Sequence, residues 1–123
     1  MKKHFERPSK DFTVTSSEWQ LDIVRNHTNA GFEHIPDSEV MDKFWVLLCF
    51  LQEHGMLQSF PAACRQDVDM RTTLKNSDLT DKGYYFLQRN VQRWGGRLYK
   101  RQAKDKDRAF LEKWYAEFQA QSA

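Results

Sequence analysis

Apolar residues in this chain recur at helical spacing in four blocks, set apart by polar or Gly/Pro-containing connections. The clearest block is "DSEVMDKFWVLLCFLQEHGML", residues 37–57. Val40, Phe44, Leu47, Leu48 and Leu51 form one face, and Met41, Trp45 and Cys49 form a second beside it. A helix that is apolar around most of its circumference is a buried one. The pattern therefore predicts a central helix over 37–54, with Asp37 or Ser38 as its N-cap. Gly55 should end it, and Met56 or Leu57 should fold back as the apolar partner of a Schellman-type cap.

Three further helices are expected around it. In "TSSEWQLDIVRNHTNAGF", residues 15–32, Thr15 and Glu18 have capping-box spacing. Trp19, Ile23, Val24 and His27 share a face, and Gly31 suits a C-terminal residue with positive φ. Thr80 is a good N-cap for a helix in which Tyr84, Leu87, Val91 and Trp94 make one stripe, with Phe86 beside it, and Gly95–Gly96 ends or breaks that helix. "DRAFLEKWYAEFQAQ", residues 107–121, repeats Phe110, Leu111, Trp114, Tyr115 and Phe118 at i, i+1, i+4, i+5 and i+8. Residues 58–77, with Pro61, short apolar patches and a β-leaning "MRTTL", fit either a two-stranded ribbon or an irregular loop with a helical turn. Residues 1–12 read as a loose arm or a short edge strand. The expectation is a mainly α single domain over 1–123. It is a compact bundle of four to five helices around the buried helix 37–54, with a small β-hairpin or wing within 58–77.

Length agrees with this. A chain of 123 residues suits one domain, which can bury roughly two-thirds of its unfolded surface without a metal or disulfide staple. Two cysteines are a weak disulfide signal. No apolar stretch suits a signal peptide or a membrane span, since the longest apolar run is residues 44–51. A soluble protein of a reducing, cytoplasmic compartment is expected, without membrane partners.

Charge adds an asymmetry. The formal net is only +2, yet residues 82–113 carry ten Lys/Arg against three Asp/Glu, a local +7 that leaves −5 for the remainder. Such imbalance suggests that one face meets something anionic. If the third helix ran on, Arg89, Arg93, Arg97, Lys100/Arg101 and Lys104 would form one stripe, interleaved with Trp94 and Tyr99. These eight residues (Arg89, Arg93, Trp94, Arg97, Tyr99, Lys100, Arg101, Lys104) are the candidate partner-binding surface. The stripe could neutralise phosphates and stack bases, or grip an acidic protein through Arg and aromatic anchors.

Two short phrases carry a resemblance. "FLQEHGML" (50–57), followed after twenty-one residues by "LTDKGYYFL" (79–87), resembles winged helix-turn-helix regulators of the MarR or PadR groups over residues 50–87. The resemblance implies a β-wing between the phrases and DNA reading by the helix before it. Here that helix departs from the pattern. Lys43 is its only basic residue, and Glu39, Asp42 and Glu53 would face phosphates. A groove-reading helix cannot be this apolar and this acidic, so a derivative scaffold devoted to protein contact is the better expectation.

No constellation of residues points to catalysis. His4, His27, His34 and His54 are scattered, and none has metal-pair or finger spacing. His27 fits a core or rim position, and His54 a cation at a helix C-terminus. Cys64 has no local activating partner, and Asp67 with Asp69 fits a solvated loop better than an acid–base pair. Gly95–Gly96 lacks the context of a phosphate-binding loop. We therefore expect neither an enzyme nor a cofactor or metal. The profile fits a small module that neutralises a partner protein by stoichiometric binding, of the inhibitor, immunity or antitoxin type. The alternative is a winged-helix-like DNA-binding transcriptional regulator using the basic segment 89–108.

Overall fold

The computed structural model describes residues 7–31, 34–98 and 104–122. The chain runs β1 (Thr13–Ser16), α1 (Ser17–Asn29), α2 (Asp37–Glu53), β2 (Thr73–Lys75), α3 (Asp81–Gly95) and α4 (Lys104–Ser122), with single 3-10 turns at Arg65–Asp67 and Asn76–Asp78. It is a mainly helical bundle with a small two-stranded antiparallel sheet. None of these helices is long and apolar enough to cross a membrane.

The central helix is α2, packed between α1 and α4. All five residues of its first apolar face are fully buried, and Met41 joins them, while Trp45 and Cys49 are half-buried. Its N-cap differs from expectation. Pro36 holds that position, and its carbonyl accepts from the Glu39 and Val40 N–H groups with no side-chain cap. Asp37 instead pairs with Arg25 of α1 at 3.2 Å.

The C-terminus of α2 closes as a Schellman motif. Gly55 has φ of 68°, its N–H donates to Gln52 O at 3.2 Å, and the Met56 N–H donates to Leu51 O at 2.9 Å. Met56 is fully buried. The start of α3 seals this joint. Thr80 N–H donates to Met56 O at 3.1 Å, Thr80 Oγ1 donates to Gly55 O and accepts from Gly83 N–H, and Lys82 Nζ donates to His54 O. Gly83 lies so close that an added Cβ would meet Met56 O at 2.2 Å. The two phrases that carry the winged-helix resemblance therefore form one physical contact, and Thr80 caps α3 as its sequence predicts.

Residues 58–78 leave and re-enter at that joint, closed at the neck by a Leu57–Leu79 bridge and by the Gln58 N–H donating to Asp78 O. Arg65 ties the excursion to α2, donating to Asp42 Oδ1 at 2.6 Å and to Ser38 O at 3.0 Å. One strand lies inside the segment predicted to hold a hairpin. Its partner, β1, comes from residues 13–16, with Thr15 opposite Leu74 and an irregularity between Thr13 and Thr15. The sheet is thus formed between segments far apart in sequence, with no local turn. Thr15 is committed to that pairing and buried, so the α1 N-cap falls one residue later, on Ser16, which accepts from the Trp19 N–H at 3.1 Å.

Of the arm expected over residues 1–12, residues 1–6 lie outside the described residues, and residues 7–12 are tied down by hydrogen bonds. Asn76, buried and distant in sequence, donates through Nδ2 to Pro8 O and Lys10 O, and its N–H donates to Phe12 O. Arg7 donates to Asn76 Oδ1 at 3.0 Å, Leu79 O at 2.7 Å and Asp81 Oδ1 at 2.8 Å, and lies over the Tyr84 ring. Asp11 accepts from the N–H and hydroxyl of Ser77. Polar bonds hold this segment, which is why apolar periodicity is silent about it.

The buried faces of α1 and α3 are rotated slightly from the predicted stripes. Ser17, Gln20, Leu21 and Val24 line the inner face of α1, and Gly83, Phe86, Leu87, Asn90 and Trp94 that of α3. Trp94 supplies the reason, because its indole Nε1–H donates to the buried Gln20 Oε1 at 3.1 Å. A buried indole N–H needs an acceptor, and Gln20 turns inward to provide it.

A buried ionic cluster joins α2 to α4. Asp107, 1% exposed, accepts from Lys43 Nζ at 2.7 Å and lies 3.5 Å from Arg97 Nε. Arg97 also stacks on the Phe110 ring at 3.6 Å.

Two stability outcomes follow, both measurable by urea unfolding. Asp107→Ala strands two buried cations and should cost about 3–5 kcal/mol, whereas Glu117→Ala, which breaks an exposed pair, should cost under about 1 kcal/mol. Gly83→Ala forces a methyl into the Met56 carbonyl and should cost about 1–3 kcal/mol. Gly96→Ala, at helical φ with only ordinary contacts, should be close to neutral.

Candidate functional site

The predicted basic stripe is divided by the fold. Helix α3 ends at Gly95. The Arg97 N–H then bonds Trp94 O and the Leu98 N–H bonds Gly95 O, tight turns that bury Leu98 completely and carry Arg97 inward to Asp107. Trp94 is 1% exposed and Arg97 7% exposed, so neither offers a surface to a partner in this conformation. Tyr99, Lys100 and Arg101 lie outside the described residues, as does the side chain of Lys104, the first residue of α4. Arg89 and Arg93 remain on the outer surface of α3, one turn apart.

These two arginines meet α4. Arg93 Nη1 donates to Glu117 Oε2 at 3.0 Å and Asn90 Oδ1 at 3.2 Å, and its guanidinium lies 5.4 Å from the centre of the Trp114 ring. Arg89 Nη1 donates to Gln121 Oε1, with its guanidinium 5.8 Å from the centre of the Phe118 ring. Together these seven side chains line a cavity of about 190 Å³ between the two helices. The α4 contribution is not evident from apolar periodicity, which assigns Trp114 and Phe118 to the core alone. The available signal is a second i, i+4 pair, Glu117 and Gln121, matching Arg89 and Arg93.

The other residues weighed for chemistry lie apart from this pair. Asp67 accepts from the Ala63 N–H and Asp69 from the Arg71 N–H, so both carboxylates shape the loop. His27 Nδ1 lies 2.8 Å from Ile23 O. Cys64 is exposed and Cys49 half-buried, and both are free. Burial and the charge of Glu53 push the Cys49 thiol up, which makes it a poorer nucleophile. Among the described residues, no group of three or more His, Cys, Asp or Glu could hold a metal ion.

His54, the α2 C-cap, organises a second polar group. Its ring lies between Phe50 and Tyr115, and Nε2 is 2.7 Å from Glu112 Oε1. Arg108 joins Glu112, at 3.2 Å, to Glu53. Burial alone would raise the Glu112 carboxyl. The hydrogen bonds and positive charge of His54 and Arg108 outweigh it and hold Glu112 below the ordinary carboxylate range. Asp11 is likewise held low, chiefly by the backbone N–H of Ser77.

The pH response has a definite sign. A carboxyl with a depressed pKa in the folded state adds stability above its unfolded value and loses it as pH falls through the folded one. Stability should therefore decline as pH drops below about 4.5, the ordinary value for a glutamate. Glu112→Gln should flatten that decline in urea titrations across the acid range. An unchanged slope would remove Glu112 from the account.

No protein-family model, no curated protein and no solved structure matches this chain.

Proposed function

We propose that this is a small non-catalytic module that binds another protein and neutralises it by stoichiometric occupancy, in the manner of inhibitor, immunity or antitoxin proteins. One observation carries the reading. Arg89 and Arg93 stand on the surface over Phe118 and Trp114, with Glu117 and Gln121 between them. Arginine backed by aromatic rings is the side-chain combination that dominates protein–protein binding energy. An acidic residue within the same patch suits a mixed-charge protein surface better than a phosphate backbone. The free thiols of Cys49 and Cys64 favour a reducing, cytoplasmic setting.

The rival reading is a DNA-binding regulator using residues 89–108. The exposed arginine pair is its support. Against it, the helix that would read bases in a winged helix is α2, whose only lysine is buried on Asp107. With Arg97 turned into the same cluster, the described stripe shortens to two residues.

The test is affinity capture with wild type and Arg89→Glu/Arg93→Glu, with and without nuclease. A protein partner held at one-to-one stoichiometry and lost at least about thirtyfold in the double variant is the expected result. Retention of nucleic acid instead, with affinity falling by orders of magnitude between about 50 and 200 mM salt, would replace this reading with the rival one.

A further inference from the structure

We infer that the partner lays a helical segment over the α3–α4 cavity and places two carboxylates, one turn apart, in it, and that Glu117 and Gln121 are intramolecular stand-ins that these carboxylates displace. The inference rests on the protein-binding reading above and adds the chemistry of the ligand.

The acceptors already in place show what the site takes. Arg93 is met by the planar carboxylate of Glu117 and Arg89 by the planar amide oxygen of Gln121. A guanidinium has five N–H donors in a rigid fork suited to two-oxygen acceptors. In Arg93 the bonds to Glu117 and Asn90 both leave from Nη1, so the fork is not engaged edge-on. An incoming carboxylate can make the paired contact that Glu117 does not.

Displacement is easy because the pair is wet. Arg93 is 50% and Glu117 41% exposed in their side chains, and exposed ion pairs of this kind are weak. The rings stay behind. With Trp114 and Phe118 packed in the core cluster, the two guanidinium groups remain oriented when their α4 acceptors leave. The rings thereby reduce the side-chain ordering that binding must supply.

Spacing selects the ligand. Arg89 and Arg93 stand at i and i+4 on α3, about 5–6 Å apart at Cβ. A second helix with carboxylates at i and i+4 presents the same repeat. A polyanion needs a longer track, and the described track stops where Arg97 turns inward to Asp107.

The experiment uses the full chain and three probes. These are an alanine-based helical peptide with Glu at i and i+4, the same peptide with Gln at both positions, and a single-stranded oligonucleotide. Affinities are measured by fluorescence anisotropy for wild type, Glu117→Gln and Arg93→Glu, with circular dichroism confirming that each variant is folded. The Glu peptide should bind wild type. Glu117→Gln should tighten it about three- to fivefold, the worth of an exposed ion pair. Arg93→Glu should abolish binding, and the Gln peptide should bind at least about tenfold more weakly. Unchanged or weaker binding in Glu117→Gln, or equal binding of the Gln peptide, overturns the inference. Tighter binding of the oligonucleotide than of the Glu peptide overturns it as well. If no peptide binds while Arg89→Glu/Arg93→Glu still destroys capture of the cellular partner, this inference falls and the protein-binding reading stands. If the double variant captures the partner unchanged, both fall.

Discussion

A single carboxylate constrains much of this molecule. Asp107 sits near the start of α4 with almost no contact with solvent, and it holds Lys43 of α2 and the first arginine beyond α3. A buried charge with no partner is so unfavourable that these groups must arrive together. Their meeting ties α4 to α2 and fixes the inward turn of Arg97 after Gly95. It also turns Arg97 away from its neighbours in sequence. Among the described side chains of the basic stripe, Arg89 and Arg93 are exposed and Arg97 is buried at Asp107.

The joint between α2 and α3 plays a comparable part for the other half of the fold. Gly55 supplies the left-handed turn, Met56 plugs the core, and Gly83 lets the α3 backbone approach the Met56 carbonyl. Everything between residues 58 and 78 is an excursion whose two ends are fixed by this contact. That accounts for the likeness to a helix, wing and helix sequence. The same closure can be built around a helix whose outer surface is apolar and acidic. The segment 76–81 also anchors Arg7 and Asp11, so the N-terminal residues, β2 and the α3 N-terminus form one hydrogen-bonded corner.

Legibility followed the physical origin of each feature. The buried face of α2, the Schellman ending at Gly55 and the Thr80 cap were readable, because each rests on side chains within a few residues of one another. The shift of the α1 cap from Thr15 to Ser16 was not, because a strand from residues 73–75 claims Thr15. The inward turn of Gln20 was hidden for the same reason, since it answers a tryptophan 74 positions away. Of the candidate site, Arg89 and Arg93 were found from their spacing. Their aromatic companions on α4 entered only as periodic apolar positions, and Glu117 and Gln121 carry no local signal that would single them out.

Local patterning by itself determined the mainly helical class, the approximate limits of the helices, the identity of the central one and the position of the excess positive charge. These depend on periodicity, capping chemistry and composition, which are properties of neighbouring residues. Tertiary structure alone decided which charges face solvent and which are consumed in the interior. Lys43, Arg97 and Asp107 look like ordinary surface residues in sequence. They become a core element because three distant segments converge, and charges can leave water only when such partners are brought within reach.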